Sequence, residues 1–485
     1  MKRLQMFKEN FFLFGLGCLI WYVLRTGSKP SRATYPCQQA AAFNANLWVT
    51  TYFTPILIVG DWKGVKEHWK TVFVVILLGV GIYRYMSLNN TDISEQDLTP
   101  VKLKLEPNIV SDPISSIYAV TGTNGKDNGV SRLIQLMNEQ GQPFYLSTKE
   151  DDTQGHAGFI GNDDVVLIKV NSQWDERGGT NTDLVKSIIN AITKHPDGWK
   201  GEIIVADNGQ AQFGGAGRGG SLEWGKNNAE DQTQSVQDVV DMFAVNYKVS
   251  TYLWDTITSN VVQEFAEGDD EDGFVVQTNI ISSTNTVVSY PKFTTLYKTQ
   301  ISFKYGVYKL EIDDYDVDKL KVINVPVLKS HGTYGVTGAI KHYMGVPSDK
   351  LSASLGYRIH SSVGLGAMGT LMAQTRVPTL NIIDAIYVNA LPKGGPKTPY
   401  MYATQTNIIA ASTDPVAIDY WASKYVLCAI CAENGDNTST MDPDNISDGG
   451  FGAWLRLSMN ELNAAGYPFT LDENVINVFV SVRAN

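Results

Sequence analysis

The sequence predicts an α/β fold, a mostly parallel doubly wound sheet with insertions, preceded by N-terminal transmembrane helices. Three observations carry this expectation. Apolar runs of strand length end in polar residues, amphipathic helical stretches lie between them, and charge-free apolar segments crowd the first ninety residues. With 485 residues, 43% hydrophobic and 18% charged, the chain has apolar material for a large core.

Residues 1–88 read as a membrane anchor of two to three apolar segments. FFLFGLGCLIWYVL (11–24) follows Lys2, Arg3 and Lys8, the layout of a signal anchor, and LWVTTYFTPILIVG (47–60) and VFVVILLGVGIY (72–83) come after it. Three spans with the N-terminus inside would put Lys63, Lys66 and Lys70 in a cytoplasmic loop and the remainder of the chain outside. Two spans would leave that remainder in the cytoplasm. The expected localisation is membrane, with an extracytoplasmic soluble domain. Residues 89–112, polar and punctuated by proline, read as a linker.

The α/β domain is expected over 113–485. ISSIYAV (114–120) has strand character, and VSRLIQLMNEQG (130–141) carries apolar residues at helical spacing before Gly141. DDVVLIKVN (163–171) is a buried strand, TNTDLVKSIINAITKH (180–195) an amphipathic helix with Thr180 and Asp183 placed for a capping box, and GEIIVADN (201–208) a second buried strand. Strand, helix and strand within so few residues form a crossover unit of a parallel sheet. A helix near 231–246 and a β-rich stretch around 247–312 read as insertions. Order returns with KLKVINVPVLKSH (319–331), TLNIIDAIYVN (379–389) and NIIAAS (407–412), then a helix opening at DPVAIDYWASKYVLCA.

Net charge excludes some partners. Thirty-nine Lys and Arg against 50 Asp and Glu give −11 with no basic stripe, so no nucleic acid partner is expected. Four cysteines are too few for a disulfide scaffold. Cys428 and Cys431 end an apolar run and read as packed thiols. VTGTNGKD (120–127) looks like a phosphate loop, but Asp127 stands where a hydroxyl should reach a metal, so a glycine turn is expected. FGGAGRGG (213–220) with Arg218 reads as a surface loop. The acidic runs EGDDEDG (267–273) and MDPDNISDGG (441–450) read as solvated turns.

The candidate site lies at the strand carboxyl ends, where ligands of open α/β sheets bind. Lys169, Asn171, Asp207, Asn208, Lys329 and His331 all fall there. NVPVLKSHGTYGVTGAIKHYMGVP (324–347) adds Thr337, Lys341 and His342. Ammonium and imidazole groups converging there suit a small anionic ligand such as a carboxylate or phosphate. Lys329 and His331 are the candidate catalytic pair, with His331 kept neutral by its lysine neighbours and able to take a proton. Lys169, Asn171, Asp207, Asn208, Thr337 and Lys341 are the candidate ligand-binding residues.

VVLIKVNSQWDERGGTNTDLVKSIINAI, GEIIVADNGQ, NVPVLKSHGTYGVTGAIKHYMG, LNIIDAIYVN and ASTDPVAIDYWA, in that order over about 113–430, resemble the family called domain of unknown function 362. The resemblance implies the fold and a ligand-facing surface without a reaction or a known cofactor. The pattern His331-x3-Gly335-x2-Gly338-x2-Lys341 is also similar to nickel-pincer lactate racemases. That likeness implies a proton-transfer role for His331, cofactor binding by Lys341 and a metal-ligand role for His360. An alternative is a cell-envelope structural protein that self-associates through an Asn-, Thr- and Tyr-rich surface, its site degenerate. His342 speaks for it, because relatives place Asn after the matching Lys.

Overall fold

Alternation along each strand decides the architecture. In the computed structural model, Val165 and Leu167 face one apolar core while Val166 and Ile168 face another, and Ile203 and Ile204 split in the same way. Successive strand side chains point to opposite faces, so a strand apolar at every position must be covered on both. Each buried Val, Leu or Ile contributes roughly 1.5–3 kcal/mol. The fold is a mixed α/β fold. The structure describes residues 100–151, 153–210, 219–352 and 359–482, together with Cys18 and Trp21.

The first half of the unit contains β1 (Ser115–Thr121), α1 (Gly129–Glu139), the paired short strands β2 (Tyr145–Leu146) and β3 (Gln154–Gly155), and β4 (Val165–Lys169). It continues with α2 (Thr182–Thr193), β5 (Glu202–Asp207), α3 (Val236–Ala244) and β6 (Lys248–Leu253). A second sheet follows: β7 (Val261–Val262), β8 (Gly273–Ile281), β9 (Thr286–Thr294), β10 (Gln300–Ser302), β11 (Gly306–Lys309) and β12 (Asp314–Asp316). Then come β13 (Leu320–Asn324), β14 (Val327–His331), β15 (Gly335–Thr337), α4 (Ala339–His342), α5 (Ala367–Gln374), β16 (Leu380–Asn389) and β17 (Thr404–Ser412). The chain closes with α6 (Pro415–Ala422), α7 (Cys428–Glu433), α8 (Phe451–Ala464) and β18 (Ile476–Val482). Leu98–Asn485 is one compact unit.

The main sheet runs β18-β1-β17-β16-β13-β4-β5-β6. Strand β17 is antiparallel to both neighbours, β1 and β16, whereas β18 on β1 and the pairings from β16 to β6 are parallel. The main sheet is therefore mostly parallel, as expected, with β17 the antiparallel strand in its path. Residues of α1, α2 and α3 join one core; α4, α5, α6, α8 and the second sheet join the other.

Four sequence expectations change in detail. The run 319–331 is two strands, because Pro326 has no N–H to give a ladder; β14 moves over to pair with β16. The cap of α2 is Asn181, whose side chain accepts from Asp183 N and Leu184 N, instead of Thr180. Strand β6, read as insertion, is the edge of the main sheet, its Val249 buried and in register with Ile203. The end of the expected linker is pinned to β18, with Asn108 and Val478 exchanging backbone hydrogen bonds of 3.0 and 2.6 Å. Apart from Cys18 and Trp21, the apolar segments 11–24, 47–60 and 72–83 lie outside the described residues, as do residues 89–99 and 211–218 with Arg218. Among the described residues no helix is long and apolar enough to cross a membrane.

Candidate functional site

Strands β4 and β13 lie side by side and parallel, but the chain leaves them in opposite directions. From β4 it passes through α2 over one core to β5, and from β13 through α4 and α5 over the other core to β16. Such a divergence opens a crevice at the strand carboxyl ends. A cavity of about 230 Å³ lies here, with Lys169 and Asn171 from the end of β4, Asp207 from the end of β5, and Lys329 and His331 from β14 in its wall. Lys329 and His331 are two residues apart on a strand and therefore share a face. The β14–β15 hairpin puts Thr337 directly opposite Lys329, and α4 then adds Lys341 and His342. His360 completes one wall.

Three buried lysines dominate the electrostatics. Lys169, with no solvent exposure, is ion-paired at 3.0 Å with Asp207; burial pushes its pKa down and the Asp207 carboxylate opposes that. Asp207 also accepts from Ser172 N at 2.8 Å and the Ser172 hydroxyl at 3.0 Å. Room for the pair comes from Gly345, where a Cβ would sit 2.5 Å from Lys169 Nζ and closer still to Asp207 Oδ1. Lys329 Nζ donates to the Gly178 carbonyl, and burial with the nearby Lys341 lowers its pKa to about 7. Burial also lowers Lys341 to about 7. Among the described residues Lys169 is the one of the three with an ion pair.

The two imidazoles on the cavity wall next to these lysines have opposite hydrogen-bonding polarity. His331 Nδ1 accepts from the backbone N–H groups of Thr333 and Tyr334, both at 3.1 Å. A neutral ring fixed in that way carries its proton on Nε2 and is a donor there. Burial, then Lys341, hold the ring far below its ordinary pKa. The ring is neutral, as expected beside lysines, and in this tautomer its Nε2 gives a hydrogen bond.

His342 is the reverse. Its Nδ1 lies 2.7 Å from Asn324 Oδ1, and Asn324 is oriented because its amide donates to Ala339 O at 3.1 Å and Asn381 Oδ1 at 2.9 Å. Asn381 in turn donates to Ser412 O at 3.2 Å. Backbone carbonyls end this chain, so its amides cannot reverse without losing bonds, and His342 Nδ1 must be the donor. Its Nε2 is left as an acceptor. Burial and then the Lys169 charge hold its pKa well below the ordinary value.

Four buried polar atoms on this wall lack a hydrogen-bond partner: Asn171 Oδ1, Trp174 Nε1, Thr337 Oγ1 and His342 Nε2. Trp174 and the hydrogen-bonding role of His342 were missed by sequence reasoning. The polarity of His342 is set by Asn324 and Asn381, distant in the chain, and leaves no local pattern.

A buried carboxylate positions α4. Asp419 of α6 accepts from Ala339 N at 2.5 Å and Ile340 N at 2.9 Å, the N–H groups that a short helix leaves over. Burial raises its pKa to about 7. Lys341 Nζ then lies 3.5 Å from His360 Nε2, and the His331 and His360 ring centroids are 5.6 Å apart. His360 was the expected metal ligand; among the described residues no group of three His, Cys, Asp or Glu is placed to hold a metal.

Other expectations resolve by their partners. Asn208 does not line the cavity; its amide donates to Pro347 O at 2.7 Å and clasps the chain after α4. Asp127 folds the 120–127 turn on itself, accepting from the Thr123 hydroxyl at 2.6 Å and Gly129 N at 2.8 Å, while Lys126 pairs with Glu230 at 2.8 Å. The acidic run at 267–273 is less solvated than expected, because Asp269 meets the fully buried Lys292 at 2.5 Å. Cys428 and Cys431 are free thiols, and burial pushes Cys428 up to about 12.

Fold and site together define a mixed α/β protein with a basic, hydrogen-bonding cavity at its strand ends. A family model described as Domain of unknown function (DUF362) matches residues 274–424, from β8 past the end of α6, which shows the family resemblance of the sequence over that stretch. Lys329, His331, Thr337, Lys341, His342 and His360 lie within it; Lys169, Asn171 and Asp207 lie before it. No curated protein matches the sequence. A crystal structure of a Thermotoga maritima protein, a structural genomics target, aligns at 10% identity and a TM-score of 0.26 over 63% of this chain and 55% of its own length. The match thus spans little more than half of that protein, and nothing below rests on it.

Proposed function

We propose that this chain binds a small anionic ligand in the cavity at the carboxyl ends of β4, β5 and β14. One observation supports the reading above others: three lysines and three histidines line that cavity against a single carboxylate, Asp207. A carboxylate or phosphate would accept from several of these groups at once, and would bring the negative charge that Lys329 and Lys341 lack. The cavity suits a ligand of a few heavy-atom groups, since a water takes about 30 Å³ of liquid volume.

Titration calorimetry with a panel of acetate, 3-methoxypropionate and isopropyl phosphate tests this on the full chain. Binding of at least one probe, weakened about a hundredfold or more in Lys329→Met together with Lys341→Met, supports the site. No binding by any probe favours the alternative of an envelope structural protein with a degenerate site.

A second reading, proton transfer on the bound anion, draws on Lys341, His360 and His331 meeting at one wall. It requires His331 to give up its two backbone donors before Nε2 can accept a proton. We also propose that the N-terminal apolar segments anchor the chain in a membrane with the cavity on the outer side, supported by the charge layout of residues 1–88.

A further inference from the structure

The three lysines of the cavity are not equivalent. Lys169 is tied to Asp207 and Lys329 donates to the Gly178 carbonyl, whereas Lys341 Nζ lies 3.5 Å from His360 Nε2, at the outer limit of a hydrogen bond. Lys341 is also the most open of the three, 5% exposed against 1% for Lys329 and 0% for Lys169. It shares the cavity wall with His360, whose side chain is half-buried. Burial outweighs the opposing Asp349 carboxylate and brings the Lys341 amine to about 7, so near neutrality much of it is uncharged and carries a lone pair. A desolvated lysine beside a second cationic group is a nucleophile for carbonyl carbon, and Lys329 is that second group.

We propose that Lys341 is the nucleophile of a Schiff-base site that takes small carbonyl compounds bearing a carboxylate or phosphate. The proposal rests on the anion-binding reading above and deepens it: a charged Lys329 meets the acidic group while a neutral Lys341 faces the carbonyl carbon. Two neighbouring amines favour that division, because charging both brings repulsion. The Lys341 nitrogen adds to the carbonyl carbon, forming a C–N bond and turning the oxygen into a hydroxyl. Loss of that hydroxyl as water then gives the imine. Both amine hydrogens leave in the water, and no oxidant or reductant takes part. His360 Nε2 is placed to carry a proton from the nitrogen to the departing oxygen, and Asp349 anchors His360 by accepting from its backbone N–H at 3.2 Å.

Reductive trapping on the full chain tests it. Pyruvate, hydroxyacetone phosphate or acetone is added with sodium borohydride, which converts an imine to a stable secondary amine, and the modified lysines are located by peptide mass spectrometry. The expected result is labelling of Lys341 at least about tenfold faster than of the exposed Lys200 with one of the two acidic ketones, and no such preference with acetone. Acetate or isopropyl phosphate, which carry the anion without the carbonyl, should protect Lys341. Labelling no faster than that of Lys200 with both acidic ketones, while calorimetry still shows acetate or isopropyl phosphate bound, overturns the inference and leaves the anion site standing. A label on Lys329 in place of Lys341 overturns the assignment of the nucleophile, and an equal preference with acetone overturns the substrate class. Absence of both anion binding and Lys341 labelling overturns the anion site and the inference together.

Discussion

Lys329 and Lys341 are amines whose charge the fold suppresses. An amine near 7 in the folded chain and near 10.5 when unfolded is penalised by folding in its charged form. The sign follows: the folded state is favoured most above the unfolded pKa, and that advantage is lost as pH falls from about 10.5 to about 7. Single Lys329→Met and Lys341→Met variants should therefore show a flatter dependence of Tm on pH between 7 and 10 than the parent, and a higher Tm at pH 6. A thermal melt series checks this, and a variant as steep as the parent contradicts it. Anion binding runs the other way. It needs the ammonium form, so affinity should fall as pH rises above about 7, by up to tenfold per unit for each lysine that must be protonated.

Gly345 sits beside the Lys169–Asp207 pair because any side chain would displace it. Gly345→Ala is expected to destabilise by about 1–3 kcal/mol, in line with overpacking of a filled site, and to weaken anion binding. Chemical denaturation followed by calorimetry reads both effects.

At the scale of elements, α4 is too short to hold itself and is held by Asp419. Removing the carboxylate leaves two buried N–H groups without acceptors, which costs about 1–3 kcal/mol each. Asp419→Ala should thus lose roughly 2–5 kcal/mol together with anion affinity, whereas Asp419→Asn, keeping one acceptor oxygen, should lose less than half as much. Equal losses in the two variants would contradict this role. Rules about elements also explain what was legible in the sequence. Apolar runs ending in polar residues located β4, β5 and the carboxyl-end rim, and with them Lys169, Asp207, Lys329 and His331. The break at Pro326 was readable in principle, because a residue without an N–H cannot continue a ladder. The parallel docking of β18 on β1 was not, because it depends on a pairing between segments more than three hundred residues apart.

The same limit applies to the site. Which charged groups share a rim followed from strand order, but which nitrogen of each imidazole carries the proton followed from tertiary contacts. His331 is a donor because its own turn folds back on Nδ1, and His342 is an acceptor because of two asparagines on neighbouring strands, β13 and β16. Sequence chemistry could therefore assign neither tautomer.

For the molecule as a whole, the parallel sheet, the two cores and the second sheet serve to bring β4, β13 and β14 to one crevice, and the anchor proposed for residues 1–88 decides which side of a membrane that crevice faces. External protease on intact cells should degrade the unit that carries His331 if it lies outside; protection until lysis would contradict an extracytoplasmic location. The gathering of lysines also makes binding electrostatic, so affinity should drop as ionic strength rises. Calorimetric titration of the full chain with 3-hydroxypropionate and glycerol 2-phosphate at pH 8, repeated in two buffers of different ionisation enthalpy, examines the lysine cavity itself. One site per chain, with proton uptake on binding that disappears in Lys329→Met with Lys341→Met, is the predicted result; no binding, or binding without proton uptake, would contradict a cavity whose buried amines are recharged by an anion.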